Sequence, residues 1–219
     1  LLQLHSGEQI TTMLRLPENS AEGFITMVTK QGVIKRTALS AFANIRKNGL
    51  IAITLNEGDG LAWTGITHGE DEILIATRGG QAIRFSEAGA RSVGRGAIGV
   101  RAIRLAAGDT VVGAGVLRQG ASVLTVTEEG KGRRTRTEDY RIQNRGGKGI
   151  RNYGAKGSVA GIRIVDDEDD IILISLAGVL IRMHVSDINF QSRYGSGVRV
   201  MRLGEDDRVV TVARTERSE

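Results

Sequence analysis

The sequence predicts an all-β fold, a propeller-like disc of four-stranded blades with four complete repeats and a partial one. Three observations carry the prediction. A glycine returns at positions 32, 80, 130 and 178, spacings of 48, 50 and 48, and an arginine follows each by four residues, at 36, 84, 134 and 182. Each glycine sits between two apolar, β-branched runs, as in Ile73 to Ala76 and Ala82 to Phe85 around Gly80, which is a hairpin signal. Third, 30 glycines stand against one proline, Pro17, and helix signals are weak. About four strands per unit at a period near 49 is the pattern of blades.

Taken in order, residues 1–23 match the second half of a unit. Leu1 to Leu4, a turn at His5 to Glu8 and the run Ile10 to Leu16 mirror Ile103 to Leu105, Ala106 to Asp109 and Val111 to Leu117. The chain is therefore expected to open mid-blade, as part of something longer. Complete units follow at about 24–71, 72–121, 122–169 and 170–219, together forming one domain over 1–219. Within each, the hairpin leads to a loop, which around Leu39 to Ile45 has room for a helical turn. A second glycine comes next, at 49, 99, 149 or 197, then a strand-like run such as Gly99 to Leu105, an acidic turn and a last apolar strand. Polar spacers separate the units. The last spacer, Asp166 to Asp170, is read as a solvated acidic loop and not a metal site, since it lacks the alternating oxygens and sharp turn that a divalent cage needs.

A length of 219 residues and 40% hydrophobic content suit a folded globular chain. Without cysteine there is no disulfide framework, thiolate zinc site or cysteine nucleophile. A reducing cytoplasm fits that composition. No apolar run approaches the roughly 18 residues of a membrane span, and there is no signal peptide. His5, His68 and His184 fall at different places in the repeat and mark no shared site. No catalytic triad, metal-spaced cluster or P-loop is present. Gly94 to Gly99 imitates a dinucleotide loop but lacks the following helix.

What recurs is cationic. From Lys131 to Arg163, three lysines and seven arginines face only Glu138 and Asp139, a net +8 inside a chain of net +5. Such asymmetry suits a polyanion-facing surface, or else a solvated basic face. Aromatic content of 4% gives single-stranded nucleic acid little to stack on. An arginine precedes the second glycine in every unit, at 46, 95, 145 and 193. Two readings stand for these repeated cations. They can pair with a neighbouring blade's carboxylates, or they can track duplex phosphates. Arg36, Arg84, Arg134 and Arg182 lean to the first reading. The second suits loop cations beside glycines, where backbone amides help to cradle an anion. The phosphate contacts so assigned are Arg46, Lys47, Arg95, Arg101, Lys131, Arg133, Arg134, Arg141, Arg145, Lys148, Arg151, Arg193 and Arg199, which leaves Arg134 under both readings. The densest loop is Gln143 to Arg151, with Gln143, Arg145, Gly146, Gly147, Lys148 and Gly149 at its heart.

Lys35-Arg36-Thr37 through Phe42 to Arg46 with Gly49 to Ala52, Gly132 to Thr135 with Glu138 to Tyr140, and Gly178 to Arg182 with Ser186 to Ile188 resemble blades of the carboxy-terminal domain of the A subunit of bacterial DNA gyrase, over essentially the whole chain. The resemblance implies a β-pinwheel whose blades exchange a strand and whose basic rim wraps double-stranded DNA. It implies six blades in the usual gyrase. The partners it implies are the remainder of the A chain and the B chain of an A2B2 complex, in the bacterial cytoplasm at the nucleoid. No cofactor is expected in this chain, since catalysis, ATP and Mg2+ belong elsewhere in the parent. The family's box reads Gln-Arg-Arg-Gly-Gly-Lys-Gly in the first blade. Residues 143–149 match it except at Asn144, and they stand in the third complete unit, which implies a secondary copy and a further box upstream of Leu1. The corresponding domain of topoisomerase IV and a protein-binding propeller are the alternatives.

Overall fold

The computed structural model describes residues 7, 10–14, 22–44, 49–154 and 157–215. Most of the predicted half-unit 1–23, together with Arg46 and Lys47, lies outside them. Fifteen strands are present among the described residues. Unit one contributes β1 (Phe24–Thr29), β2 (Val33–Ala38) and β3 (Leu61–Thr67). Unit two contributes β4 (Glu72–Thr77), β5 (Gln81–Ser86), β6 (Val100–Arg101) and β7 (Val111–Val116). Unit three contributes β8 (Ser122–Thr127), β9 (Lys131–Arg136), β10 (Ile150–Arg151) and β11 (Val159–Val165). Unit four contributes β12 (Asp170–Ser175), β13 (Leu180–His184), β14 (Val198–Arg199) and β15 (Val209–Thr215). A short 3-10 turn follows the second hairpin strand each time, at Leu39–Phe42, Glu87–Gly89, Thr137–Asp139 and Val185–Asp187.

The strands form four antiparallel sheets, ordered β3-β1-β2-β6, β10-β5-β4-β7, β11-β8-β9-β14 and β13-β12-β15. The short strand after each second glycine does not join its own unit, where the repeat alone places it. β6 pairs with β2, β10 with β5 and β14 with β9, so each of the first three blades takes its fourth strand from the unit that follows. The fourth blade has three strands among the described residues. Only two residues of the run Gly99 to Leu105 form a strand, because the chain then turns onto the hairpin glycine of the preceding blade.

That docking explains the glycine period. The Gly80 carbonyl accepts from the amides of Asn152 and Tyr153, at 2.7 and 3.0 Å. Gly32 accepts likewise from Ala102 and Ile103, and Gly130 from Val200 and Met201. A Cβ on Gly80 would lie 2.3 Å from the Tyr153 oxygen, and φ there is +84°. Gly178 has φ +82° but nothing within 4 Å of that position. Gly178→Ala is expected to cost only the left-handed backbone term, about 1–2 kcal/mol. Gly80→Ala is expected to cost that and the docked strand's hydrogen bonds, a further ~1–3 kcal/mol. Equal losses in urea unfolding would contradict the docking role.

Inner strands β3, β7, β11 and β15 touch in succession and form the inner, axial edges of the four sheets. The borrowed strands β6, β10 and β14 occupy the opposite sheet edge, the rim. Three apolar cores lie between consecutive blades. Val28, Ile34, Ile73, Ile75, Ile83 and Phe85 belong to the first, Leu74, Val123, Tyr140 and Ile162 to the second, and Leu124, Ile171, Leu173 and Val212 to the third. Neighbours Leu74 and Ile75 face different cores, so both faces of the hairpin strand are covered. A sheet buried on both faces reads as a continuous apolar run, not an alternation.

Candidate nucleic-acid interface

The cations divide into two populations, set by their position in the repeat. Those three and four residues after the hairpin glycine, in the middle of the second hairpin strand, point into the joints between blades. Arg36 donates from Nε to the Ala90 carbonyl at 2.7 Å and from Nη1 to Glu87 at 2.8 Å, and stacks 4.5 Å over the Phe24 ring. Burial pushes the Glu87 carboxyl upward, but bonds from Thr67, Arg36 and the amides of Gly69 and Asp71 outweigh it and hold the group below the usual glutamate value. Arg84 joins Glu72 to the carbonyls of Thr137 and Tyr140. Arg134 donates to the Ile188 carbonyl at 2.6 Å, pairs with Asp167 and stacks 4.2 Å over Phe190. The first three clamp arginines thus reach the carbonyl that closes the next unit's 3-10 turn, at 90, 140 and 188. Arg182 instead pairs with Asp170, beside His184.

Arg133 and Arg134 are therefore corrected as phosphate contacts. Arg133 is fully buried, with its guanidinium on the carbonyls of Gly195, Arg193 and Asn152 and on Thr135. A cation whose donors are already spent on buried acceptors has none to offer a phosphate. Lys35, at the equivalent position, is also buried and donates to Ala52 and Arg95 carbonyls. Burial, and then the charge of Arg95, lower its ammonium below the ordinary lysine value. These two cations fasten the loops at Arg95 and Arg193 from below. The acidic run 166–170 is corrected too. Asp166 pairs with Arg118, Asp167 with Arg134, Asp169 with Arg214 and Asp170 with Arg182, so it receives arginines from around the joint and is not merely a solvated loop.

The second population stands on the rim. Arg101, Arg151 and Arg199 are the second residues of β6, β10 and β14, all exposed, and none has an ion-pair partner among the described residues. Lys131, Arg141 and Lys148 are likewise exposed and unpaired there, and Arg95 is half-buried. Arg145 and Arg193 have a mixed role. Arg145 donates from Nε to Gly89 at 2.9 Å and from Nη1 to the Arg101 carbonyl. Arg193 repeats this with Asp139 at 2.8 Å and the Arg151 carbonyl. Each ties its loop to the preceding unit, and its Nη2 has no hydrogen-bond partner among the described residues.

The loop 143–149 folds against the preceding rim strand. The Gln143 amide donates to Arg84, the Gly146 amide to Ala102, and the Arg104 amide to Gly147, each at 2.8 Å. At Gly149, φ is +77° and a Cβ would lie 2.5 Å from the Ala82 oxygen, so only glycine lets the borrowed strand approach the hairpin. Lys148 then shares a shallow cleft with Gln81 and Arg104. Sequence reasoning missed Arg91, Arg104 and Arg202, all exposed. A signal for them existed, since Arg91 pairs by period with Arg141, and Arg104 with Arg202.

The sequence profile of the DNA gyrase C-terminal domain, beta-propeller, matches residues 24–67, 71–118, 121–166 and 169–216, one segment per unit. The DNA gyrase A chain of Staphylococcus aureus strain NCTC 8325 is 43% identical over 221 aligned residues, covering 98% of this chain and 25% of that protein. The chain thus spans about a quarter of the length of the curated relatives it matches. A solved DNA gyrase A C-terminal domain superposes with TM-score 0.87 at 25% identity, over 97% of this chain and 72% of that one. The C-terminal domain of a DNA topoisomerase IV superposes with TM-score 0.86 at 27% identity, over 92% and 65%. Blades, borrowed strands and sequence together make the chain a member of the DNA gyrase C-terminal domain family.

Proposed function

We propose that the chain binds duplex DNA without reading its sequence and bends it around the rim, and that this serves ATP-dependent negative supercoiling by a gyrase composed of A and B subunits. The observation that carries the reading is the placement of Arg101, Arg151 and Arg199. The same unpaired cation recurs at the same position of three successive rim strands, so the charges follow the curvature of the disc. Bending 20–30 base pairs by 40–90° costs on the order of 1–6 kcal/mol, which many distributed phosphate contacts offset. With about six cations on phosphate, log K is expected to fall against log salt with a slope near −5. A slope near zero in a gel-shift series would end this reading. Ligation of nicked plasmid on the protein, followed by linking-number analysis, tests the wrapping separately.

The similarity to a topoisomerase IV domain supports a second reading, in which the rim presents a DNA segment for decatenation or relaxation. Assays of the longer protein separate the two, since only the gyrase reading requires net negative supercoiling with ATP.

A further inference from the structure

At the axis, away from the rim, a cavity of about 560 Å³ lies against all four inner strands. Trp63 and Thr64 line it from β3, Gly115 from β7, Arg163 and Ile164 from β11, and Arg214 from β15. Sheet register shows what is unusual here. Gly65 opposes Thr26, Gly115 opposes Leu74, Arg163 opposes Leu124 and Ala213 opposes Ile172, so these four occupy one equivalent position. Three units carry glycine or alanine there, and the third unit alone carries an arginine.

That arginine has no carboxylate. Its Nη1 donates to the Ile162 carbonyl at 2.6 Å, and no other partner is present among the described residues. Burial lowers the guanidinium below the ordinary arginine value, without neutralising it. The other two arginines of the cavity have carboxylate partners. Arg118 pairs with Asp166 at 2.7 Å and Arg214 with Asp169 at 3.3 Å, while Asp71 accepts from the His68 amide at 2.9 Å. A second observation points the same way, because Thr64 Oγ1 is buried with no hydrogen-bond partner. A cation on β11 with one backbone acceptor and an unused hydroxyl on β3 line the same cavity, and both have donor capacity left for an acceptor oxygen.

We infer that this axial cavity binds a small tetrahedral oxyanion of the phosphate type, with Arg163 as the counter-charge and Thr64 as a hydrogen-bond donor. The site is separate from the rim, and its occupancy does not depend on DNA binding. A guanidinium presents paired N–H groups that match two oxygens of such an anion, which chloride does not provide. The flanking Trp63 is the chain's one tryptophan, so its fluorescence reports on this wall alone.

The experiment is titration of that fluorescence with inorganic phosphate, against chloride at matched ionic strength. A saturable change with Kd near or below about 1 mM is expected for phosphate. Arg163→Ala places there the residue type of Ala213 and is expected to fold, which its thermal melt checks. It should weaken the phosphate response at least tenfold. Thr64→Val keeps the shape, removes the hydroxyl and should weaken it severalfold. Phosphate should also raise the melting temperature of the wild type and not of Arg163→Ala, since a ligand stabilises only the state it binds. A response that matches chloride, or that survives unchanged in both variants, overturns the inference and leaves Arg163 as a side chain filling space that its neighbours leave empty.

Discussion

Arg36→Met is expected to destabilise the fold by about 3–5 kcal/mol, the cost of leaving one partner of a buried ion pair behind. Glu87 is completely buried, and Arg36 is 8% exposed at its side chain. Removing the guanidinium leaves a carboxylate sealed between the first two blades with Thr67 and two backbone amides as its donors among the described residues. It also releases the Ala90 carbonyl, so the 3-10 turn of the second unit loses its anchor on the first. Arg182→Met is the matched control. Its side chain is 45% exposed and Asp170 keeps His184, so a loss of at most about 1 kcal/mol is expected. Urea denaturation of both variants checks the contrast, and similar losses would show that the joint is not held by this pair.

The second large effect is on DNA. Replacing Arg101, Lys148, Arg151 and Arg199 together by glutamine is expected to flatten the salt slope by about 3–4, roughly 0.9 for each phosphate no longer neutralised. The same relation makes binding at ~50 mM salt weaker by roughly a thousandfold or more. These four side chains have no ion-pair partner among the described residues, so the thermal midpoint should hardly move. Arg133→Met should do the reverse. It should lower stability and, in the fraction that remains folded, leave the salt slope unchanged. A slope unchanged in the quadruple variant would place the DNA elsewhere than on the rim strands.

Much of this architecture is legible in the residues. The glycine and arginine periods locate every hairpin, and the apolar runs give the strands of β1, β4, β8 and β12. The borrowed strands are not legible from pattern alone. Two residues such as Val100 and Arg101 are too short to show alternation, and their partners Ile34 and Val33 lie more than sixty positions upstream. The sequence resemblance supplied the exchange, and the register then showed which run is exchanged. Burial of Arg133 beside Arg134 was equally hidden. In a strand with one solvated face, adjacent residues alternate between core and water, which would leave one of the two outside. Here both faces are joints between blades, so both arginines are inside. The rim set was readable where cations recur by period, as for Arg101, Arg151 and Arg199. The double duty of Arg145 and Arg193 required knowing which carbonyls the fold brings beneath them.

The borrowed strands also govern how the disc carries load. A duplex held in a bend pushes back elastically on whatever holds it. In an ordinary blade that push would fall on the outer strand of one hairpin and peel it open bond by bond. Here the outer strand belongs to the following unit, and β6 and β10 are held at one end by the Gly32 and Gly80 carbonyls and crossed by the Arg145 and Arg193 clamps respectively. Under the proposed bending of DNA, recoil on any of the three borrowed strands would therefore pass to two units at once. It would arrive partly as shear along the joint and not as peeling at an edge. A surface made of separately weak blades can in this way resist a stiff polymer as one body.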